Sequence, residues 1–225
     1  MPRRNTPLVV NEYHHIYNRG VARQAIFVDD RDRHRFVTTL MYYRFRALRL
    51  RFSMWLELEG DARVRWMKQM VQASDQLVAV IAFALMPNHV HLLLRQTSED
   101  GISIFMQHLS NSYTKYFNTR HNRVGPLFQG PFKAIRVDTD GQLLHLSRYI
   151  HLNPLVGHVV DESEWLRYPW SSLVEYRRGK SAWLDLHPIL GQFASSAAHE
   201  AFVRDYADQA QRLSQLTPVL LENAH

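Results

Sequence analysis

The chain has 225 residues, of which 46% are hydrophobic, 12% aromatic and 21% charged. That is apolar material for one decorated domain or two small ones, and too much for wholesale disorder. Its 27 Lys and Arg against 21 Asp and Glu leave a formal charge of +6, which points to a polyanionic partner. Cysteine is absent, which excludes disulfide frameworks, thiolate zinc sites and thiol nucleophiles. Apart from Lys68, Lys115, Lys133 and Lys180, every basic residue is Arg. Arg makes two-pronged contacts with phosphates and base edges, although a GC-rich genome produces the same bias. No early run has signal-peptide length and none approaches about 18 uninterrupted apolar residues, so a soluble, cytoplasmic chain is expected.

The first extended element in chain order is Tyr13 to Arg19, aromatic and β-branched, closed by Gly20. Asp29-Asp30 caps a helical pattern running from Arg31 to Leu50 through Phe36, Leu40, Tyr43 and Ala47. Gly60-Asp61 interrupts, and Ala62 to Gln72 reads as a further helix; Leu50 to Val71 is longer than a minimal core needs. Leu77 to Leu85 is a continuous apolar run suited to a buried strand. Met86-Pro87-Asn88 breaks it, and His89 to Arg95 is strand-like again. A helix over Ile102 to Arg120 would place Ile104, Phe105, His108, Leu109, Ser112 and Tyr116 near one face. After a Gly- and Asn-rich loop, Phe132 to Val137 alternates as a strand, and Asp138 to Gly141 caps a helix over Gln142 to Asn153 that Pro154 should end. The order predicts an α+β, ferredoxin-like antiparallel sheet with helices on one face and the Gln142 helix lying back across it. Residues 1–160 would form the main domain, with 161–225 an extension packed on it.

Two short segments carry chemistry. In His89-Val90-His91 the strand alternation puts both imidazoles on one face, where they can hold one divalent metal or simply line a wet edge. In Tyr149-Ile150-His151-Leu152-Asn153 a helix advances about 400° over four residues, so phenol and carboxamide share a side. Asn153 could complete a His–His–oxygen triad suited to magnesium or manganese, with Tyr149 as nucleophile. The other reading makes Tyr149 core and Asn153 a helix cap. Tyr113 and Tyr116 are competing nucleophiles, but four residues beyond them stand Phe117 and Arg120, neither of which ligates a metal. His14 and His15 read as core or wet-edge residues, and Asp29, Asp30 and Asp32 as helix caps.

Together these segments resemble the single-tyrosine HUH transposases, specifically the REP-associated tyrosine transposases. The resemblance also rests on Tyr17-Asn18-Arg19-Gly20, Met86 to Leu94, Tyr113 to Asn118, Gly125 to Gly130, Tyr149 to Pro154 and Tyr168-Pro169-Trp170-Ser171-Ser172, over roughly residues 13 to 175. It implies a metal pair at His89 and His91, a third ligand at Asn153, a Mg2+ or Mn2+ cofactor and a nucleophile at Tyr149. It further implies cleavage of single-stranded DNA beside an imperfect palindromic hairpin, through a 5′-phosphotyrosine link and a free 3′-hydroxyl, by a monomer or homodimer. Arg19, Arg120, Arg123, Lys133 and Arg136 are the candidate DNA contacts. Pro131 departs from the family, which usually has Arg after the glycine matching Gly130; this removes a charge and a backbone donor. A hairpin-binding protein without catalysis, and a metal-dependent hydrolase that uses water, are the competing functions.

Overall fold

A computed structural model describes residues 7–48, 50–72 and 76–207. In chain order it contains β1 (Tyr13–Arg19), α1 (Asp30–Tyr43), α2 (Phe52–Glu57), α3 (Gly60–Gln72), β2 (Val78–Met86) and β3 (His89–Gln96). These are followed by α4 (Gly101–Arg120), β4 (Lys133–Val137), α5 (Asp140–Val156), α6 (Leu173–Arg178), α7 (His187–Leu190) and α8 (Ser196–Arg204). The strands form one sheet in the order β2-β3-β1-β4 with every neighbouring pair antiparallel, the α+β architecture expected. Residues 1–6 and 208–225, the ends of the two expected units, lie outside the described residues.

Both faces of the sheet are covered. Val90, Leu92 and Leu94 of β3 alternate with His89 and His91, and all three apolar residues are fully buried with Ile16 of β1. This apolar face meets α1 and α4, which also pack on each other. The opposite face carries α5, which lies mainly on β2. Cross-strand pairing puts Ala82 opposite Leu93 and Ala84 opposite His91, so small side chains lie beneath the helix. Gly157, at the end of α5, fits the same constraint, since a Cβ there would fall 2.5 Å from Met86 Cε. Coverage from both sides explains why β2 is buried along its whole length.

The segment after Asp161 closes the outer edge of β2. Leu85 N–H donates to the Trp170 carbonyl at 2.9 Å, Ser172 N–H to Phe83 at 3.0 Å and Asp185 N–H to Val80 at 3.0 Å. The edge strand therefore keeps few free backbone groups for another chain to pair with. Ser172 is a junction: its Oγ accepts the Phe83 N–H at 2.9 Å, donates to the Phe83 carbonyl at 3.2 Å and lies 2.9 Å from His151 Nε2. Burial drives the His151 pKa well below the usual histidine value, so the ring is neutral. With its proton on Nε2, every donor in this junction finds an acceptor. Leu152 and Leu155 of α5 also pack with Trp165, Leu173 and Val203, so the helix is gripped from sheet and extension alike.

The chain departs from the sequence expectations at four places. Helix α1 stops at Tyr43, not Leu50, because the chain straightens to bridge Phe45 to Gln76 and to offer the Arg44 carbonyl to Leu77 N–H. Residues 50–71 add α2 and α3, whose Phe52, Trp55, Trp66 and Met70 join Tyr42 and Phe45 in a separate aromatic core. In α4 the buried stripe is Ile102, Phe105, Met106, Leu109, Tyr113 and Phe117; His108, Ser112 and Tyr116 belong to the outer face. Pro154 does not end α5. Although it cannot donate, its carbonyl accepts Val159 N–H and Gly157 N–H returns to Asn153, closing the helix at Val156.

Replacing Ser172 by Ala strands the Phe83 N–H and the His151 ring inside the protein, and should cost about 2 kcal/mol. A shifted urea midpoint checks this; an unchanged midpoint would mean that the junction does not hold α5.

Candidate active site

The end of β1 and the β2–β3 turn are bound together. Gly20 N–H donates to Asn88 at 2.8 Å, Ile26 N–H to Pro87 at 2.8 Å, and Val21 and Gln129 N–H groups cross-link this strand end to residues 127–129. Gly20 tolerates no side chain, since a Cβ would lie 2.3 Å from the Gln24 carbonyl. Asn18 donates to the Gly130 carbonyl at 3.2 Å. Several stretches far apart in sequence thus fix the first residues of β3.

On that strand His89 and His91 face α5. Their ring centroids are 5.0 Å apart, and the Tyr149 ring stands edge-on to His91 at 5.6 Å within the same chain. Each imidazole has its Nδ1 engaged: His89 with Asn88 Oδ1 at 2.6 Å, and His91 with His15 Nε2 at 2.9 Å. Such contacts orient a ring and leave Nε2 as its remaining ligand atom. His91 and His15 are nearly buried, at 7% and 5% exposed, and their rings stack at 5.1 Å. Burial, reinforced by the Arg19 charge, pushes His89 down to about 4, so it is a neutral donor at physiological pH.

Tyr149 is 37% exposed at the surface of this cluster. Partial burial raises its phenol above the ordinary value, while the Asn153 side chain and the Arg19 charge pull the other way. Asn153, one turn on, donates through Nδ2 to the Tyr149 carbonyl at 2.8 Å, which leaves Oδ1 as its acceptor end. Two imidazoles and one amide oxygen are a donor set of a kind that fits a small divalent cation. Among the described residues no group of three or more His, Cys, Asp and Glu gathers that could hold a metal ion.

The remaining candidates divide. Arg19 acts on both His89 and Tyr149, and Lys133 Nζ lies 5.8 Å from the Tyr17 ring, itself 6.1 Å from His91. Arg120 instead binds Asp29 and Asp32 at the start of α1, and its guanidinium holds the Asp29 carboxyl well below the carboxylate range. Arg123 reaches Asn118 and Gln24. Arg136 pairs with Glu12 and Asp138 and, by register, lies on the other face from His15. Tyr113 is fully buried and donates to the Ile26 carbonyl, which removes it as a nucleophile. His15 is the residue that sequence reasoning undervalued. Its signal was strand parity, because His15 and Tyr17 share a face that pairs with His91.

Among the described residues no helix is long and apolar enough to cross a membrane. No curated protein matches the chain. A solved structure of a REP-associated tyrosine transposase bound to a REP hairpin is similar in fold, with a TM-score of 0.52 at 14% identity, covering 83% of this chain and 93% of that one. The family model described as "Transposase IS200 like" matches residues 51–153, which span His89, His91, Tyr149 and Asn153. Over this segment, a little under half of the chain, the sequence is similar to the IS200-like transposases.

Proposed function

We propose that the chain uses a ferredoxin-like sheet to cleave and rejoin single-stranded DNA beside REP-type hairpins, with Tyr149 as nucleophile. The observation that carries this reading is the Tyr149 ring 5.6 Å from His91, on the face that also presents His89, with Asn153 one turn along the helix. Tyr149 Oη would form a bond to phosphorus as the bond to the 3′-oxygen breaks. The phenolic proton passes to solvent and the leaving oxygen takes one up as a 3′-hydroxyl. A phosphotyrosine keeps the phosphodiester's free energy for the reverse step, which hydrolysis by water would discard. His89, His91 and Asn153 would hold Mg2+ or Mn2+, which when bound neutralises phosphate charge and eases departure of the 3′-oxygen.

Arg19 would counter the charge of the attacking phenol and of the phosphate beside it. Lys133 is proposed as a neighbouring phosphate contact, with the partly exposed Arg123 and Arg136 as outer contacts. Arg120, spent on Asp29 and Asp32, would contribute mainly by fixing α1. Residues 1–160 are proposed as the catalytic unit and 161–225 as its brace. The REP hairpin in the similar structure supports the choice of substrate. A second reading, hairpin binding with little catalysis, draws on the raised Tyr149 pKa and is separated by the same experiment.

Incubation with a hairpin-bearing single strand and manganese should give a covalent protein–DNA adduct. Tyr149→Phe and His89→Ala should abolish it while retaining hairpin binding, because affinity rests on phosphate and base contacts. Tyr113→Phe should keep the adduct and lose about 1 kcal/mol of stability. Cleavage that persists in Tyr149→Phe would mean that water is the nucleophile, and binding without cleavage by the unaltered chain would favour the second reading.

His15→Ala should raise the manganese concentration for half-maximal adduct formation about 10- to 100-fold, through loss of the His91 support. An unchanged requirement would show that His15 does not position His91.

A further inference from the structure

A groove of about 800 Å³ runs between α1, α2 and α4, on the side of the sheet away from Tyr149. Its walls are two helical stripes. Arg31, Arg35 and Tyr43 recur at multiples of four along α1, while His108, Asn111, Ser112, Lys115 and Thr119 follow the outer face of α4 over about 16 Å. The inner stripe of α4 is core, so nothing in the packing of the sheet calls for this outer pattern. Among the described residues no acidic side chain lines the groove.

Arg35 is its most constrained feature. The guanidinium lies 4.4 Å from the Phe52 ring centre and 5.0 Å from that of Tyr116, and its Nε is buried without a hydrogen-bond partner. Among the described residues no carboxylate forms an ion pair with Arg35 or Lys115, in contrast to Arg120 at the end of the same groove. Desolvation lowers the Arg35 pKa, with only the Tyr116 and Tyr43 phenols opposing it. A cation held against two rings and short of counter-charge is pre-organised for an anion. Lys115 and the donors of Asn111 and Ser112 continue the same chemistry along α4, and Tyr43 and Tyr116 offer half-buried ring faces. Cations strung along a groove with aromatic walls match the backbone and bases of a strand better than they match one small anion.

We propose that this groove is a second nucleic-acid contact, gripping the phosphate backbone of the bound DNA strand away from the reacting phosphate. It rests on the reading that DNA is what the chain handles, but not on Tyr149 being its nucleophile.

The test uses the full chain and a hairpin-bearing single strand. Lys115→Glu with Asn111→Asp, both at exposed positions, should weaken binding about tenfold and lower the slope of log K against log salt by about 1. Lys180→Glu, on a different surface, should do neither. Because the chain has no cysteine, Asn111→Cys provides a unique thiol for an aryl-azide cross-linker, which should capture the strand where Lys180→Cys does not. Unaltered affinity and salt slope, with no cross-link from position 111, would overturn the proposal even where the Tyr149 adduct forms. So would competition by a free mononucleotide as strong as by the strand. Cross-linking and weakened binding in a chain that forms no adduct would uphold the groove and reject the catalytic reading.

Discussion

The candidate site depends on how α5 is seated on β2 and β3. A phenol can work with two imidazoles only if the helix and strand that carry them keep a fixed separation, and most packed elements here serve that end. Alanines at positions 82 and 84 and glycine at 157 let the helix approach closely. The Ser172 hydroxyl then ties His151 to the Phe83 backbone in a dry environment, where a broken hydrogen bond is not replaced by water. The residues after Asp161 are therefore more than an appendix: they cap the sheet edge and back the helix that bears Tyr149.

The strand side of the site is equally non-local. His91 is held by His15 from β1, His89 by Asn88 from the turn, and the turn by Gly20 and Ile26. Residues 127–129 brace the end of β1 in turn. This explains why the stretches resembling a known family are scattered from residue 17 to 172: they are contacts around one short turn and one helix. It also accounts for the neutral imidazole of His89, which sits under cover beside a cation.

Much of this was legible in the sequence, for identifiable reasons. β1 begins and ends where its aromatic run does, and the His pair declared its common face because strand parity is unambiguous. Helix phase is less forgiving. On α4, polar and apolar residues alternate closely enough that Tyr116 reads as core and Tyr113 as an alternative, and only packing against Phe27 and Phe36 decides between them. The end of α1 was hidden because the residues after Tyr43 keep a helical period while serving an aromatic cluster built with α2 and α3. The roles of His15 and Ser172 were beyond local reading, since each depends on a partner more than 20 residues away.

Net charge illustrates the same limit. Arg120, Arg136, Arg177 and Arg204 all look available in the sequence, yet each is paired to an internal carboxylate. Among the described residues Arg35 and Lys115, far from Tyr149, form no ion pair, while Arg19 lies close enough to Tyr149 and His89 to act on both. Such a division suits a reversible transesterification. Tight binding at the reacting phosphate would stabilise the starting strand as well as the transition state and so gain nothing in rate. Affinity placed on a remote groove is likewise uniform over the reaction, so it would retain the strand before and after cutting without altering the barrier. On the proposed reading, the reacting face would reserve its electrostatics for the phenol, while the helical face would hold the DNA through both directions of the reaction.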